Sequence, residues 1–190
     1  AAHAFFFSIG TVVALFVLVR LKVGLSYTPS NIALMSAVYM LSAVPFFAGG
    51  AVVSIAVSRL AGRINLVYAA DLVGASAGCL LLLPLLDRVG APGVVLSTAA
   101  LGAVAAVCFA SGPARRRIAP IAVALVAVPW GAHALGLVSF DVARTKGHDG
   151  DTVLFSKWNS FSRVAVYDRR HGDWSLSPTY TGPMPDTRFM

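Results

Sequence analysis

Five apolar runs, at residues 4–19, 31–57, 64–86, 92–110 and 118–137, constrain this chain more than any other feature. Each approaches the ~20 apolar residues needed to cross a hydrocarbon layer about 30 Å thick. Apolar residues make up 57% of the chain and charged residues 12%, against about 25% charged in soluble proteins. A soluble domain of this length has too little interior to hide so much apolar surface, whereas lipid replaces the missing core. Inside lipid the backbone must satisfy its own hydrogen bonds, which requires helices here, because the alternating pattern of a membrane barrel is absent. The connections between runs are short, which favours neighbours that run up and down. The expected fold is therefore an all-α membrane protein, an antiparallel bundle of about five transmembrane helices over residues 1–140. Pro45, Gly49 and Gly50 are the expected bending points of the second run, and residues 87–91 the tight turn before the fourth.

The charge is unevenly placed. Residues 1–140 carry eight Lys or Arg against Asp71 and Asp87, and residues 141–190 carry seven Lys or Arg against six Asp. The net charge of +7 thus sits almost wholly in the short loops between apolar runs, which points to anionic lipid head groups as the partner. Nucleic acid is not indicated, since no basic face with interleaved aromatics occurs. Arg115, Arg116 and Arg117 form the densest basic group and read as a topology signal with head-group contact. Counting loops on either side gives five basic residues each, so the positive-inside rule leaves the orientation undecided. The two cysteines, Cys79 and Cys108, fall within apolar runs without metal-ligand or disulfide spacing and read as small buried hydrophobes.

Residues 141–190 have a different character and are expected to form a soluble tail. Residues 141–151 are polar and glycine-containing and read as a linker. Residues 153–158 and 163–168 alternate in polarity and are rich in β-branched and aromatic side chains, so they read as two strands of a hairpin. A third strand is expected at 174–177, and a proline-rich extended stretch at 177–186. About 50 residues of this kind cannot form a stable core alone, so the tail needs another domain, the membrane surface or a partner chain.

Few side chains offer chemistry. Asp71 is the one acid well inside an apolar run, and an ionisable group there usually faces a bundle interior. It shares a helical face with Gly74 and Gly78, a GxxxG pair suited to close helix approach. The expected role is helix packing, with Arg63 a partner for Asp71; the alternative is a proton or cation site. His133 stands alone in the fifth run and reads as a structural residue. The strongest local motif lies in the tail. Trp158 suits packing on another domain, Asn159 and Ser160 suit a sharp turn, and Ser162 and Arg163 complete the docking group, Arg163 with a guanidinium fit for a carboxylate or phosphate. No residue set forms a catalytic, cofactor-binding or metal-ligating pattern.

These residues also carry a family likeness. Tyr68-Ala69-Ala70-Asp71-Leu72-Val73-Gly74-Ala75, Gly90-Ala91-Pro92-Gly93, Pro45-Phe46-Phe47-Ala48-Gly49-Gly50 and Lys157-Trp158-Asn159-Ser160-Phe161-Ser162-Arg163-Val164, in their order, resemble the membrane region of bacterial polytopic spermidine-synthase-like proteins. The resemblance covers roughly residues 40–190. It implies a multi-helix membrane region followed by a Rossmann-like domain of the aminopropyltransferase or methyltransferase type, binding decarboxylated S-adenosylmethionine or a relative and introduced by a strand hairpin. The glycine-rich nucleotide loop and its acidic residues are not found here, and the chain holds no glutamate. No catalytic residue is carried over. The first residue is Ala1 and the last is Met190, and the expectation is that the catalytic domain lies beyond the tail or in another subunit. The expected function is a non-catalytic membrane anchor or scaffold of the bacterial inner membrane. The alternatives are an accessory subunit of a larger membrane complex and a small transporter using Asp71.

Overall fold

The computed structural model describes residues 1–21, 26–135, 153–167, 179 and 181–182. Among these it is mostly helical. The elements in order are α1 (Ala2–Leu18), α2 (Pro29–Arg59), a 3-10 turn (Ala61–Arg63), α3 (Ile64–Phe109), α4 (Gly112–Ala134), β1 (Val153–Trp158) and β2 (Arg163–Tyr167). Two stretches, 29–59 and 61–109, are long and apolar enough to cross a membrane. The remaining helices are shorter, and the 17 residues of α1 span only about 26 Å.

The helix starts follow local chemistry. Thr28 caps α2, its Oγ1 accepting from the Asn31 amide at 3.3 Å, with Pro29 just inside the first turn. The Asn31 side-chain amide donates back to the Ser26 carbonyl at 2.8 Å. Pro45 lies inside α2 without ending it, and it is buried.

Among the described residues there are four α-helices, not five. The expected third and fourth runs form one helix of 46 residues, interrupted at Gly90, where φ is 67° and ψ 173°. Unbroken, such a helix would hold its ends about 69 Å apart. Yet Leu60, just before it, lines the same cavity as Phe109 at its end. The chain therefore turns back at Gly90, with arms at 64–89 and 91–109. The runs were expected to be separated by a turn; Gly90 joins them because one residue in a glycine-only conformation reverses the direction.

The core lies between α1 and the second arm of α3. Small residues make it: Ala99, Gly102, Ala103 and Ala106 face Ala4, Ser8, Thr11 and Leu15, all buried. Ser8 Oγ donates 2.7 Å to the Ala99 carbonyl within this contact. Phe7 fills the space beside two glycines. A Cβ at Gly102 would meet its ring at 2.5 Å, and one at Gly49 of α2 at 3.5 Å. Gly10 lies against Val44 and Pro45 of α2. These pairings run in opposite sequence directions, so α1 is antiparallel both to α2 and to the second arm of α3. The pairing of Trp130 with Gly93, and the lining of one cavity by 103–108 and 119–127, make α4 antiparallel to that arm as well.

The hairpin matches the expected strands, β2 ending at Tyr167; position 168 and the expected third strand at 174–177 lie outside the described residues, as do the linker at 141–151 and most of 177–186. The two strands are antiparallel, with Trp158 opposite Arg163, Lys157 opposite Val164, Ser156 opposite Ala165 and a register irregularity between Val153 and Phe155.

Candidate functional site

The hairpin sits on the break in α3. Gly90 is buried there, and a Cβ on it would lie 2.7 Å from Cδ1 and 3.1 Å from Nε1 of Trp158. Two independent reasons therefore require glycine at position 90. Its φ and ψ lie in a region essentially closed to other residues, and the indole occupies the space of a side chain. Beside this contact Ser160 Oγ donates to the Asp87 carboxylate, 3.1 Å from each oxygen. A residue of the hairpin turn thus holds one from the last turn of the first arm.

The turn itself is shaped by Asn159. Its Oδ1 accepts from the amides of Phe161 at 2.9 Å and Ser162 at 2.7 Å, while its own amide donates 2.9 Å to the Ser162 carbonyl. The side chain replaces a backbone turn partner, as asparagine commonly does. Arg163 Nε donates 2.9 Å to Ser156 Oγ on the facing strand.

Between the break, α4 and β1 lies an open notch of about 420 Å³, lined by Asp87, Arg88, Gly90, Trp130, Ser156, Lys157 and Trp158 among others. The side chains of this lining able to donate toward the break are those of Arg88, Ser156, Trp130 and Trp158, while Lys157, between Ser156 and Trp158 on β1, is exposed on the opposite face of the strand. Among the described residues neither indole N–H has an acceptor.

The expected site residues are distributed as follows. Trp158 packs on Gly90, Asn159 shapes the hairpin turn and Arg163 bonds to Ser156 across the hairpin. Ser162 contributes its backbone, and its hydroxyl is exposed without a partner among the described residues. Asp71, Gly74 and Gly78 lie exposed on the first arm of α3, and a Cβ on either glycine would meet nothing within 4 Å. Asp71 makes no hydrogen bond or ion pair with another described residue, so Arg63 does not partner it. Arg115, Arg116 and Arg117 are exposed in the opening turns of α4. The backbone of His133 belongs to α4, and its side chain lies outside the described set.

Sequence reasoning read Ser160, Asp87 and Gly90 as turn residues and missed their part in seating the hairpin. Ser160 and Asp87 are 73 positions apart, and no local pattern links them. Gly90 was visible only as part of a turn. The small-residue interface that the chain does build, Ala99 to Ala106 against α1, was overlooked beside the tidier GxxxG pair, although Ala99, Ala103 and Ala106 show the same small-residue spacing.

The fold and notch define a mostly helical chain with two helices long and apolar enough to cross a membrane and a two-stranded hairpin packed on the break in α3. No protein-family model, curated protein or solved structure matches this chain.

Proposed function

We propose that this chain is a non-catalytic membrane anchor and scaffold that holds its C-terminal hairpin against one end of a helical bundle. The observation that carries the reading is the spacing of two polar ends across an exposed apolar flank. Arg59 and Leu60 adjoin Phe109 at one end, where Arg63 and Arg115–Arg117 also belong by chain continuity. Arg88, Lys157 and the hairpin mark the other end. The second arm of α3 links them over about 28 Å, close to the ~30 Å of a hydrocarbon layer. Between the ends, Tyr39, Phe46, Phe47, Leu66, Val73 and Leu80 are all more than 60% exposed. Water penalises such a surface by roughly 25 cal/mol for each Å², and acyl chains remove that penalty.

The arginines support the same reading. Positive charge at a helix N-terminus opposes the macrodipole by a few tenths of a kcal/mol or more per residue. Arg115, Arg116 and Arg117 stand there with no acidic residue in the first turn of α4. Anionic head groups at that level supply the compensating charge.

Descent from bacterial spermidine-synthase-like membrane proteins is part of the proposal and rests on the motif resemblance, as does placement in an inner membrane. A second reading is favoured by the open face around Gly74 and Gly78: an accessory subunit whose first α3 arm receives a small-residue helix of a membrane partner.

Cys79 tests the anchor reading, since it is exposed near the middle of the first arm. In a Cys108→Ser background, a water-soluble maleimide leaves Cys79 unlabelled in intact membranes and labels it after detergent solubilisation and mild denaturation. Rapid labelling in sealed, washed membranes, or release of the chain by alkaline carbonate, overturns the proposal.

A further inference from the structure

We infer that the tip of the hairpin is a membrane contact: Phe161 enters the bilayer at the boundary between head groups and acyl chains, alongside the first arm of α3. The inference rests on the anchor reading and adds the hairpin turn to the lipid-facing surface.

The helical repeat fixes where the tip stands. Val73, Ser76, Leu80, Leu83 and Asp87 recur at intervals of three and four, so they form one stripe along the first arm. Val73, Leu80 and Leu83 are each at least half exposed, and the Ser76 hydroxyl donates 2.8 Å to the Leu72 carbonyl of its own helix. The stripe is thus apolar up to its last member, Asp87. The Asp87 carboxylate takes the Ser160 hydroxyl, 3.1 Å from each oxygen. That bond brings the hairpin turn to the face of the arm that carries the stripe. Leu83 lies about 6 Å and Leu80 about 10 Å from Asp87 along the helix axis.

Phe161 directly follows Ser160. Its amide donates 2.9 Å to Asn159 Oδ1, which fixes its backbone, while the residue is 94% exposed. Turns favour Gly, Pro, Asn, Asp and Ser, so the turn itself does not call for a bare aromatic ring. Phenylalanine and leucine on one surface with basic residues beside them suit the bilayer interface. The cations are present at this end: Arg88 follows Asp87, and Lys157 is exposed on the face of β1 turned away from the break. Long basic side chains reach head groups from such a level. Lipid is favoured over a protein partner by this continuity, since one boundary accepts the ring, the leucines and the cations together.

The test places a nitroxide at position 161 of the full chain, as Phe161→Cys with Cys79→Ser and Cys108→Ser, in vesicles of phosphatidylcholine and phosphatidylglycerol. Power saturation compares collisions with oxygen, which concentrates in lipid, and with a water-soluble nickel chelate. Oxygen is expected to dominate at position 161, at a shallower depth than for a label on Cys79 in a Cys108→Ser chain. Collisions mainly with nickel put the tip in water and overturn the inference. Weak collisions with both reagents mean that protein covers the tip, a partner helix or a second copy, and overturn it as well. Position 79 separates the two readings. Nickel-dominated collisions there defeat the anchor reading, whereas lipid at 79 with water at 161 defeats the tip contact alone. The exposed ring can be replaced without touching the hydrogen bonds of the turn. A second variant, Phe161→benzoylphenylalanine, keeps a ring at the position and is expected to photocrosslink to lipid; an adduct to protein in its place overturns the inference.

Discussion

Replacing Gly90 with alanine attacks the hairpin clamp in two separable ways. The backbone at φ 67°, ψ 173° resists any side chain at a cost of about 1–3 kcal/mol. The new methyl would lie 2.7 Å from the indole of Trp158, a rigid ring that cannot yield without moving the hairpin, and overpacking of this kind costs about 1–3 kcal/mol. Together these weaken docking by roughly 3 kcal/mol, a fall of about 100-fold in the docked population relative to the undocked one. Hydrogen exchange of the β1 and β2 amides in reconstituted protein reads that change as lost protection. A double-mutant cycle with Trp158→Ala divides the two causes. With the indole gone only the backbone term remains, so Gly90→Ala becomes milder by about 1–3 kcal/mol. A coupling below about 0.5 kcal/mol, the level seen between independent sites, would refute the claim that Gly90 is open in order to receive Trp158.

Two further outcomes follow from named contacts. Asn159→Ala removes two hydrogen bonds to turn amides, and hairpin protection should drop by about 1–2 kcal/mol, measured by the same exchange experiment, while α1 and the second arm of α3 keep theirs. Gly102→Leu drives a side chain into Phe7 and Ser8 and should lower the thermal midpoint in mild detergent by the equivalent of about 1–3 kcal/mol, whereas Gly74→Leu, facing open space, should stay within about 0.5 kcal/mol of the parent.

The helical character was legible because it depends on composition alone, and so were the hairpin strands, because alternation and turn residues are local. The failures share one cause. A GxxxG pattern states that a close partner is permitted, not that one exists; Gly74 and Gly78 have the pattern and no neighbour among the described residues, while Ala99, Gly102 and Ala106 have one. Similarly, Gly90 was readable as a turn, but its service as a seat for Trp158 depends on a contact between residues 68 positions apart (158 minus 90). Asp87 and Ser160 fail for the same reason, since each is an ordinary polar residue until the fold brings them together.

Phe7 has a consequence for how sequences of this kind are free to change. Its ring touches the space left by Gly49 on one helix and Gly102 on another, while α2 and α3 meet each other only marginally. The positions of those two helices are thus coupled through α1, and Phe7 is a side chain that meets both. A side chain at Gly102 would overlap the Phe7 ring and calls for a smaller residue at position 7, which then leaves a void beside Gly49, where an added methyl would make only ordinary contact with that ring. Positions 7 and 102 are therefore constrained as a pair, and position 49 more loosely through the same ring, although no two of the three are close in sequence.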